Sequence, residues 1–251
     1  GPGSTPVLWK DLIIFHMDGS DKQFIIALDK QSGREKWRTA RTGKMNANPQ
    51  LKKAYGTPLI TVANGKPVLF SPGADWLYGY DPATGRELWK LSYGMLGFSI
   101  VPRPVAGHGM LYMSTSFMRP QLLAVRYEKT SKPHVAWKYN RGVSKQPSPI
   151  LVGDELYFVD DSGGLVTCLD AHSGEVHWRE RIGGNYSASP FHANGRLYFQ
   201  SREGETTVLK PGKTFKVLAK NKLDGQHMAS AAVDANALIL RTNNAVYRIE
   251  E

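Results

Sequence analysis

Short apolar runs separated by turn residues dominate the pattern of this chain. Runs of three or four apolar residues recur at Leu12–Phe15, Leu111–Met113, Leu156–Val159 and Leu197–Phe199. Such runs, bounded by Gly, Asn and Asp, favour β-strands joined by tight hairpins. Because no stretch of adequate length has the 3.6-residue period of an amphipathic helix, the pattern predicts an all-β protein.

These strands belong to a unit that repeats six times. Each unit opens on Thr, Ser or Arg followed by Pro or Ala, and continues with an apolar strand, a turn and a second strand. The second positions of the openings, 41 to 52 residues apart, are Pro6, Pro58, Pro104, Pro149, Pro190 and Ala231. Four short antiparallel strands in a unit of this size are typical of a β-propeller blade. We therefore expect one β-propeller domain of six blades, at about residues 5–42, 57–93, 99–143, 147–183, 186–223 and 226–251.

The two ends of the chain interrupt this pattern. The sixth unit stops at Glu251, where its fourth strand would begin, and Gly1–Ser4 (GPGS) is typical of the scar left by a cleaved tag. Because an open edge strand favours unwanted pairing, we prefer a natural chain that continues upstream of Thr5 to a last blade of three strands. The same open edges predict that the six blades close imperfectly, dimerise or pair through their edges.

A second motif marks the outer half of the units: an Asp, a Gly four residues later and a Trp eight residues later. The copies are Asp29, Gly33 and Trp37; Asp81, Gly85 and Trp89; and Asp170, Gly174 and Trp178. We expect the Asp to accept backbone N–H bonds in the turn between the third and fourth strands, and the Gly to supply a positive φ there. The Trp, on the outer strand, is expected to pack between adjacent blades. Trp137 takes this place in a copy without the Asp; the fifth unit lacks the Trp, and we expect Phe215 and Leu218 to pack there.

Composition and charge exclude several classes of protein. The 251 residues have a formal net charge of +10, with 41% hydrophobic and 22% charged residues, which is ordinary for a soluble globular protein. The Lys and Arg residues are scattered, and groups such as Arg34–Arg38 are interrupted by Glu. This distribution favours a basic solvated surface over nucleic-acid binding. No apolar run approaches the ~20 residues of a membrane helix, and no signal peptide is visible.

The stretch Cys168–Trp178 (CLDAHSGEVHW) is the densest group of chemically active residues. It suggests a metal site, or a Cys/His nucleophile pair with an orienting carboxylate. In the two sister copies, however, Ala27 and Gly79 stand where Cys168 stands, and neither copy has a His. Only the Asp, Gly and Trp recur, so we expect a structural turn and no metal. One Cys also excludes an internal disulfide.

The three motif copies, at Ala27–Trp37, Gly79–Trp89 and Cys168–Trp178, resemble the PQQ-like (pyrroloquinoline quinone-like) β-propeller repeat. Segments such as QPSPILVGDELYF and GGNYSASPFHANGRLYFQS are similar to exported bacterial repeat proteins abundant in planctomycetes. The resemblance covers Thr5–Glu250 and implies a signal peptide and two further upstream blades, so that this chain would be the C-terminal six blades of an eight-bladed propeller. It also implies a fold shared with the lipoprotein propeller that assists β-barrel assembly at the outer membrane, which is a non-catalytic scaffold.

The resemblance also raises an enzymatic alternative, a quinoprotein dehydrogenase that uses pyrroloquinoline quinone (PQQ). Those enzymes have adjacent cysteines near the cofactor, a calcium or lanthanide site of Glu, Asn and Asp, and a catalytic Asp. Here Cys168 is alone, and no such acidic constellation stands apart from the repeat turns. We therefore expect neither PQQ nor Ca²⁺. A polysaccharide-acting enzyme is a further alternative, but such propellers use paired carboxylates or His, and no acid pair is evident.

The segments that open the inner strands supply candidate ligand contacts. Their polar and aromatic residues, which we expect to line a central channel, are Tyr55, Arg103, Ser148, Tyr186, Ser187 and His227. Either they contact a ligand or an anion, or they make hydrogen bonds around a water-filled channel.

The residues favour a non-catalytic scaffold or binding module of the bacterial cell envelope, exported to the periplasm. Propeller loops and blade edges commonly contact a protein or an envelope polymer, and we expect a partner of that kind. A scaffold predicts an exposed apolar patch, whereas an enzyme predicts a deep pocket with convergent charged groups.

Overall fold

The computed structural model describes residues 3–130 and 132–250. Gly1 and Pro2 of the tag scar and Glu251 at the end of the sixth unit lie outside the described residues, as does Ser131. The described part consists of strands, turns and one 3₁₀ helix at Pro49–Lys52. By clustering of contacts the chain divides into two compact units between Asn140 and Arg141.

The first unit contains three four-stranded antiparallel sheets and a two-stranded ribbon. The first sheet is β1 (Val7–Trp9), β2 (Leu12–Asp18), β3 (Gln23–Asp29) and β4 (Glu35–Ala40); the second is β5 (Leu59–Ala63), β6 (Lys66–Pro72), β7 (Trp76–Tyr80) and β8 (Glu87–Ser92); the ribbon pairs β9 (Gly97–Phe98) with β12 (Phe117–Met118); and the third sheet is β10 (Val105–Gly107), β11 (Met110–Ser114), β13 (Leu122–Arg126) and β14 (His134–Tyr139).

The second unit contains two four-stranded sheets and a three-stranded one. The fourth sheet is β15 (Ile150–Val152), β16 (Glu155–Val159), β17 (Leu165–Asp170) and β18 (Val176–Arg181); the fifth is β19 (Phe191–Ala193), β20 (Arg196–Gln200), β21 (Glu205–Leu209) and β22 (Val217–Lys222); and the sixth is β23 (Ala232–Asp234), β24 (Ala237–Arg241) and β25 (Val246–Glu250). The predicted all-β class, with repeated four-stranded sheets and an incomplete sixth, is confirmed. That all six sheets act as one domain stays a prediction.

Within each four-stranded sheet the two middle strands carry the core. In the first unit, for example, β11 and most of β13 are buried, while the outer strand β8 alternates between half-buried and exposed positions. Apolar runs such as Leu111–Met113 are therefore buried on both faces, which is typical of strands covered by neighbouring sheets. The hairpins between first and second strands place Lys10, Asn64 and Asn194 at positive φ, as tight turns require.

The turn of the repeat motif is built by its Asp. Asp29 accepts hydrogen bonds through Oδ1 from the backbone N–H groups of Gln31 (3.2 Å) and Ser32 (2.9 Å). These bonds hold the pKa of Asp29 at about 2, with the backbone N–H of Ser32 as the largest cause. Gly33 closes the turn at φ +69° and donates its N–H to the Asp29 carbonyl at 2.9 Å.

The Trp of the motif packs against the turn of the following sheet. A Cβ placed on Gly85 would lie 2.4 Å from Cε3 of Trp37, and Thr39 donates its hydroxyl to the Gly85 carbonyl at 2.7 Å. In the second unit, Trp178 Nε1 donates to the Gly212 carbonyl at 3.0 Å. At Gly85 the glycine is thus required by Trp37 of the preceding repeat as well as by its own positive φ, whereas at Gly212 Trp178 contacts only the backbone carbonyl and a Cβ would meet no atom within 4 Å among the described residues.

The fifth sheet shows what happens when the Trp is missing. Phe215 packs on Trp178 of the fourth sheet, with ring centroids 5.1 Å apart, whereas Leu218 is 42% exposed and lies unpacked on β22. Every residue of β22 is exposed. Packing of the outer strand therefore depends on the large aromatic side chain.

Candidate functional site

The Cys168–Trp178 stretch forms the turn between β17 and β18. The Asp170 carboxylate accepts the backbone N–H groups of His172 and Ser173, both at 2.9 Å, in the same arrangement as at Asp29. His172 contacts a different carboxylate, with its Nε2 3.3 Å from Asp154 Oδ1. His177 Nε2 lies 4.0 Å from Asp170 Oδ2. The Asp170 carboxylate is therefore engaged in closing its own turn.

Cys168 lies where the repeat needs a small residue. It stands opposite Trp178 in the β17–β18 register, just before a β-bulge. The residues in the same register position opposite Trp37, Trp89 and Trp137 are Ala27, Gly79 and Ala124. At Gly79 a Cβ would lie only 2.3 Å from the indole of Trp89. Burial raises the pKa of the Cys168 thiol to about 12, so at neutral pH the group is a protonated core side chain and a poor nucleophile.

Two of the predicted ligand residues belong to the first unit. Tyr55 is half-buried, and its backbone N–H donates to the Ile100 carbonyl at 2.6 Å. Arg103 is exposed, between the buried prolines Pro102 and Pro104. Both lie in segments that precede inner strands, and their contact with a ligand stays a prediction.

The other four predicted ligand residues belong to the second unit. Tyr186 is buried in the core between the fourth and fifth sheets and donates its hydroxyl to the Gly183 carbonyl at 2.9 Å. His227 is buried beside Gln200, with its Nδ1 3.1 Å from Gln200 Nε2. Desolvation, aided by the charge of Lys222, lowers the pKa of His227. These surroundings give both side chains a structural role, and a ligand contact stays a prediction.

The predicted Ser148 belongs to a hydrogen-bonded series that the sequence did not reveal. The Ser148 N–H donates to the hydroxyl of Ser189 at 3.0 Å, and the Ser189 N–H donates to the hydroxyl of Ser230 at 2.9 Å. The step from each serine to the next is 41 residues. The residues after Ser148 and Ser189 are prolines, which have no N–H to donate. The serine N–H is therefore the last backbone donor before the proline, and the serine hydroxyl of the following sheet accepts its hydrogen bond.

The predicted Ser187 meets two side chains that were not predicted. Arg202 Nε donates to the Ser187 hydroxyl at 2.8 Å, Arg202 Nη2 donates to Gln146 Oε1 at 3.2 Å, and the Ser187 hydroxyl donates to the same Gln146 oxygen at 2.8 Å. The neighbouring Glu203 accepts from Asn185, both through its backbone N–H (3.0 Å) and through Nδ2 (2.7 Å). The cluster fixes a half-buried guanidinium that can donate to a polar group. No sequence motif marks it.

A buried charged cluster in the first unit was also missed. Arg41 donates to both carboxylate oxygens of Asp18, at 3.1 and 2.7 Å, and Nη2 also donates to the Ser71 hydroxyl at 2.7 Å. The guanidinium carbon lies 4.6 Å from the ring centroid of Tyr78. His16 Nδ1 is 2.9 Å from the Ser71 oxygen. Ser71 therefore accepts from Arg41, and its hydroxyl also shares a hydrogen bond with His16 Nδ1 whose direction depends on the imidazole tautomer.

This cluster disfavours protonation of His16. Desolvation, aided by the Arg41 charge and opposed by Asp18, lowers the His16 pKa from 6.5 to about 4. The sequence held one signal of the cluster, since His16 and Asp18 alternate with the buried Ile14 on one face of β2.

The loops of the first unit expose a group of large apolar side chains. Met95 is 60% exposed, Phe117 57% and Met118 59%. They lie on the loops that flank and form the β9–β12 ribbon, outside the four-stranded sheets. The Asp18, Asp29 and Asp170 carboxylates are hydrogen-bonded within the fold and Cys168 is buried, whereas these apolar side chains face solvent.

The repeated four-stranded sheets and their Asp–Gly–Trp turns define a β-propeller built from PQQ-like repeats. Residues 4–128 and 73–227 match the PQQ-like family model described as "Outer membrane protein assembly factor BamB". The chain belongs to this family, which confirms the resemblance inferred from its motifs.

Curated relatives and a solved structure agree with this assignment. The outer membrane protein assembly factor BamB of Yersinia pestis is 23% identical over 201 residues, which are 76% of this chain and 47% of that protein. The same factor from Legionella pneumophila (strain Paris) is 25% identical over 211 residues, 76% of this chain and 52% of that protein. The chain spans about half the length of these relatives. The crystal structure of BamB from Moraxella catarrhalis superposes with a TM-score of 0.71 at 17% identity, covering 97% of this chain and 70% of that one.

Among the described residues, no helix has the length and apolar character needed to cross a membrane.

Proposed function

We propose that this chain is a non-catalytic propeller scaffold of the bacterial cell envelope, exported to the periplasm, that contacts a protein partner during assembly of the outer membrane. The observation that supports the proposal most directly is the exposed apolar group at Met95, Phe117 and Met118. Phe117 packs edge to face on Phe98 of the same ribbon, and contiguous exposed apolar side chains are typical of interaction sites. Membership of a family described as an outer membrane protein assembly factor supports the envelope role.

The engagement of the polar groups supports a scaffold over an enzyme. The Asp29 and Asp170 carboxylates close turns, Glu203 is held by Asn185, and Asp18 is paired with Arg41. The proposal therefore includes no resident PQQ or Ca²⁺ and no catalytic residue. A quinoprotein dehydrogenase, or an enzyme acting on polysaccharide, is the alternative class, and an envelope polymer is the alternative partner.

Binding to envelope proteins tests the proposal. The purified chain is immobilised and exposed to a bacterial envelope extract; captured proteins are identified by mass spectrometry, purified and titrated against the chain. A saturable interaction with an outer-membrane assembly component is expected. In parallel, the chain is incubated with PQQ and Ca²⁺ and assayed for dye-linked alcohol oxidation. Oxidation activity together with the absence of any titratable protein partner would overturn the proposal.

Self-association is a separate part of the prediction. Among the residues that the structure describes, strand β25 pairs with β24 alone, and a strand edge without a partner is open to pairing with another strand. We expect light scattering coupled to size-exclusion chromatography to show a concentration-dependent dimer. A monomer at all concentrations would contradict this expectation.

A further inference from the structure

Three loops of the first unit are joined by backbone hydrogen bonds into one layer. They span residues 41–58, 93–104 and 115–121, which lie between or within the sheets of this unit. Ser99 donates its N–H to the Lys53 carbonyl at 2.7 Å, and Tyr55 donates to the Ile100 carbonyl at 2.6 Å. The third loop joins the layer through the β9–β12 ribbon, in which Phe117 pairs with Phe98. The layer is therefore a built surface, although it lies outside the four-stranded sheets.

The ribbon and the loop beside it carry what we call the apolar ridge: Met95, Phe98, Phe117 and Met118. The rings of Phe98 and Phe117 meet edge to face with centroids 5.5 Å apart. Phe98 is half-buried, and the other three side chains are exposed. Asn46 Nδ2 lies 3.5 Å from the sulfur of Met95, which links the ridge to the first loop.

The backbone under the ridge is strained and tightly packed. Met118 has φ +92° and Ser99 has φ +57°, backbone conformations that non-glycine residues rarely adopt and that are strained. At Gly97, a Cβ would lie 2.0 Å from the Phe117 carbonyl oxygen, so the two strands approach as closely as glycine allows. Strain that holds apolar side chains in solvent is a cost to folding, and such strain concentrates at functional sites.

The three loops have charge of one sign. They contain the cations Arg41, Lys44, Lys52, Lys53, Arg103 and Arg119 and no Asp or Glu. Arg41 is buried against Asp18, but the others are exposed or half-buried. Arg119 directly follows Met118, and Lys53 is bonded through its carbonyl to Ser99 beside the ribbon. Negative charge on a partner would therefore favour its binding to the ridge.

We propose that the apolar ridge binds an extended segment of another protein in which large apolar side chains alternate with, or are flanked by, Asp and Glu. The inference rests on the proposed scaffold function and specifies the chemistry of its partner. Methionine side chains re-pack around varied apolar groups, and the bordering cations recognise the acidic residues. We favour a polypeptide over an anionic lipid surface because the ridge consists of Met and Phe, whereas Trp and Tyr are the residues enriched at membrane interfaces.

The test uses a defined peptide and the whole chain. The probe is a fluorescein-labelled peptide of about twelve residues in which Phe and Leu alternate with Asp and Glu, titrated by fluorescence anisotropy. Two further peptides replace either all acidic residues by Lys or all apolar residues by Ser. We expect the probe to bind, with an affinity that falls as salt rises, and both altered peptides to bind at least about tenfold more weakly, the loss expected when central anchors are removed.

Variants of the chain locate the binding. Phe117→Ser combined with Met118→Ser is expected to weaken binding of the probe at least about tenfold, whereas Val62→Ser is expected to have no effect. Val62 is a matched control because it is on β5 of the same unit and, like Phe117, is 57% exposed. Arg119→Glu is expected to weaken binding and to reduce its salt dependence, with Lys66→Glu, an exposed hairpin cation, as the control. Thermal melting of each variant verifies that it is folded.

Several results would overturn the inference. One is equal binding of the probe by the Phe117→Ser/Met118→Ser variant and the native chain; another is equal binding of the acidic and the Lys peptides. Absence of peptide binding with Phe117-dependent binding to vesicles containing phosphatidylglycerol would assign the ridge to a lipid surface instead. A dimer lost in the same variant, again without peptide binding, would assign it to a second copy of the chain.

The outcome is separable from that of the proposed function. If a purified envelope protein binds the native chain and the Phe117→Ser/Met118→Ser variant equally, the scaffold function stands and the ridge assignment fails. If the peptide binds at the ridge but no envelope protein interacts with the chain, the chemistry of the surface stands and the proposed function fails.

Discussion

Replacement of Gly85 by Ala tests whether the repeat glycine serves the neighbouring sheet as well as its own turn. Gly33 and Gly85 hold the same motif position, at φ +69° and +71°. A Cβ on Gly85 would lie 2.4 Å from the indole of Trp37, whereas among the described residues no atom lies within 4 Å of a Cβ on Gly33. Comparison of the two Gly→Ala substitutions therefore separates the cost of backbone strain from the cost of contact between sheets.

The expected magnitudes differ accordingly. Gly33→Ala should cost about 1–2 kcal/mol, the price of a left-handed L-residue. Gly85→Ala should cost that amount plus about 1–3 kcal/mol of overpacking, because the half-buried indole of Trp37 must move within the core. Urea denaturation followed by far-UV circular dichroism measures both differences in the free energy of unfolding. Equal destabilisation by the two substitutions would refute the role of the glycine between sheets.

A double-mutant cycle identifies Trp37 as the cause. In a Trp37→Ala background, Gly85→Ala should cost only slightly more than Gly33→Ala, because the colliding ring is gone and the Thr39 hydroxyl, 2.9 Å from the added Cβ, remains. The interaction energy between the two substitutions should then exceed about 1 kcal/mol, within the range measured for residues in contact. An interaction energy near zero would show that the cost at Gly85 arises elsewhere.

Three further predictions concern buried groups. The His16 pKa is depressed from 6.5 to about 4, so the neutral imidazole stabilises the fold above pH 6.5 and this stabilisation is lost as pH falls towards 4. Between pH 7 and 4.5 the free energy of unfolding of the native chain should therefore fall by about 2.5 kcal/mol more than that of His16→Asn. Urea denaturation measures both proteins at each pH, and an equal loss in the two would contradict the prediction. Arg41→Met should lower the free energy of unfolding by about 3–5 kcal/mol, because it leaves Asp18 charged and buried. Adding Asp18→Asn should recover part of this loss of stability in thermal melts. No recovery would argue against a charge effect. Cys168 is buried and burial raises its pKa to about 12, so its thiol should react with a thiol reagent only as fast as the chain unfolds. Rapid labelling of the folded chain would show that the thiol is accessible.

The fold was predictable because its signals are local. The prolines before the inner strands and the Asp–Gly–Trp spacing, as in Asp29, Gly33 and Trp37, repeat at nearly constant intervals and specify turns within about ten residues. The structure adds a physical reason for Cys168, which the alignment of repeats showed only as variable. A small residue is needed opposite Trp178, and Cys, Ala and Gly all satisfy that need.

The candidate surfaces were not predictable because they depend on distant pairs. Arg41 meets Ser71 across 30 residues and Tyr80 across 39, and no spacing rule connects them. Within residues 3–130 and 132–250 no other repeat has a ribbon like that of Phe117 and Phe98, so the repeat pattern of the sequence gives no signal for it. Exposure of an apolar side chain also depends on what the rest of the fold leaves uncovered.

The contact between the Trp of one sheet and the glycine turn of the next works as a directional joint. The turn of the later repeat accepts the indole of the earlier one, as Gly85 contacts Trp37 and Gly212 contacts Trp178. The fifth repeat keeps the accepting turn at Gly212, which contacts Trp178 of the fourth sheet, but it has no Trp on its own outer strand. A sheet that follows the fifth repeat must therefore be held by contacts other than a Trp indole, so moving this repeat to an earlier place in the series would leave the sheet after it without that contact.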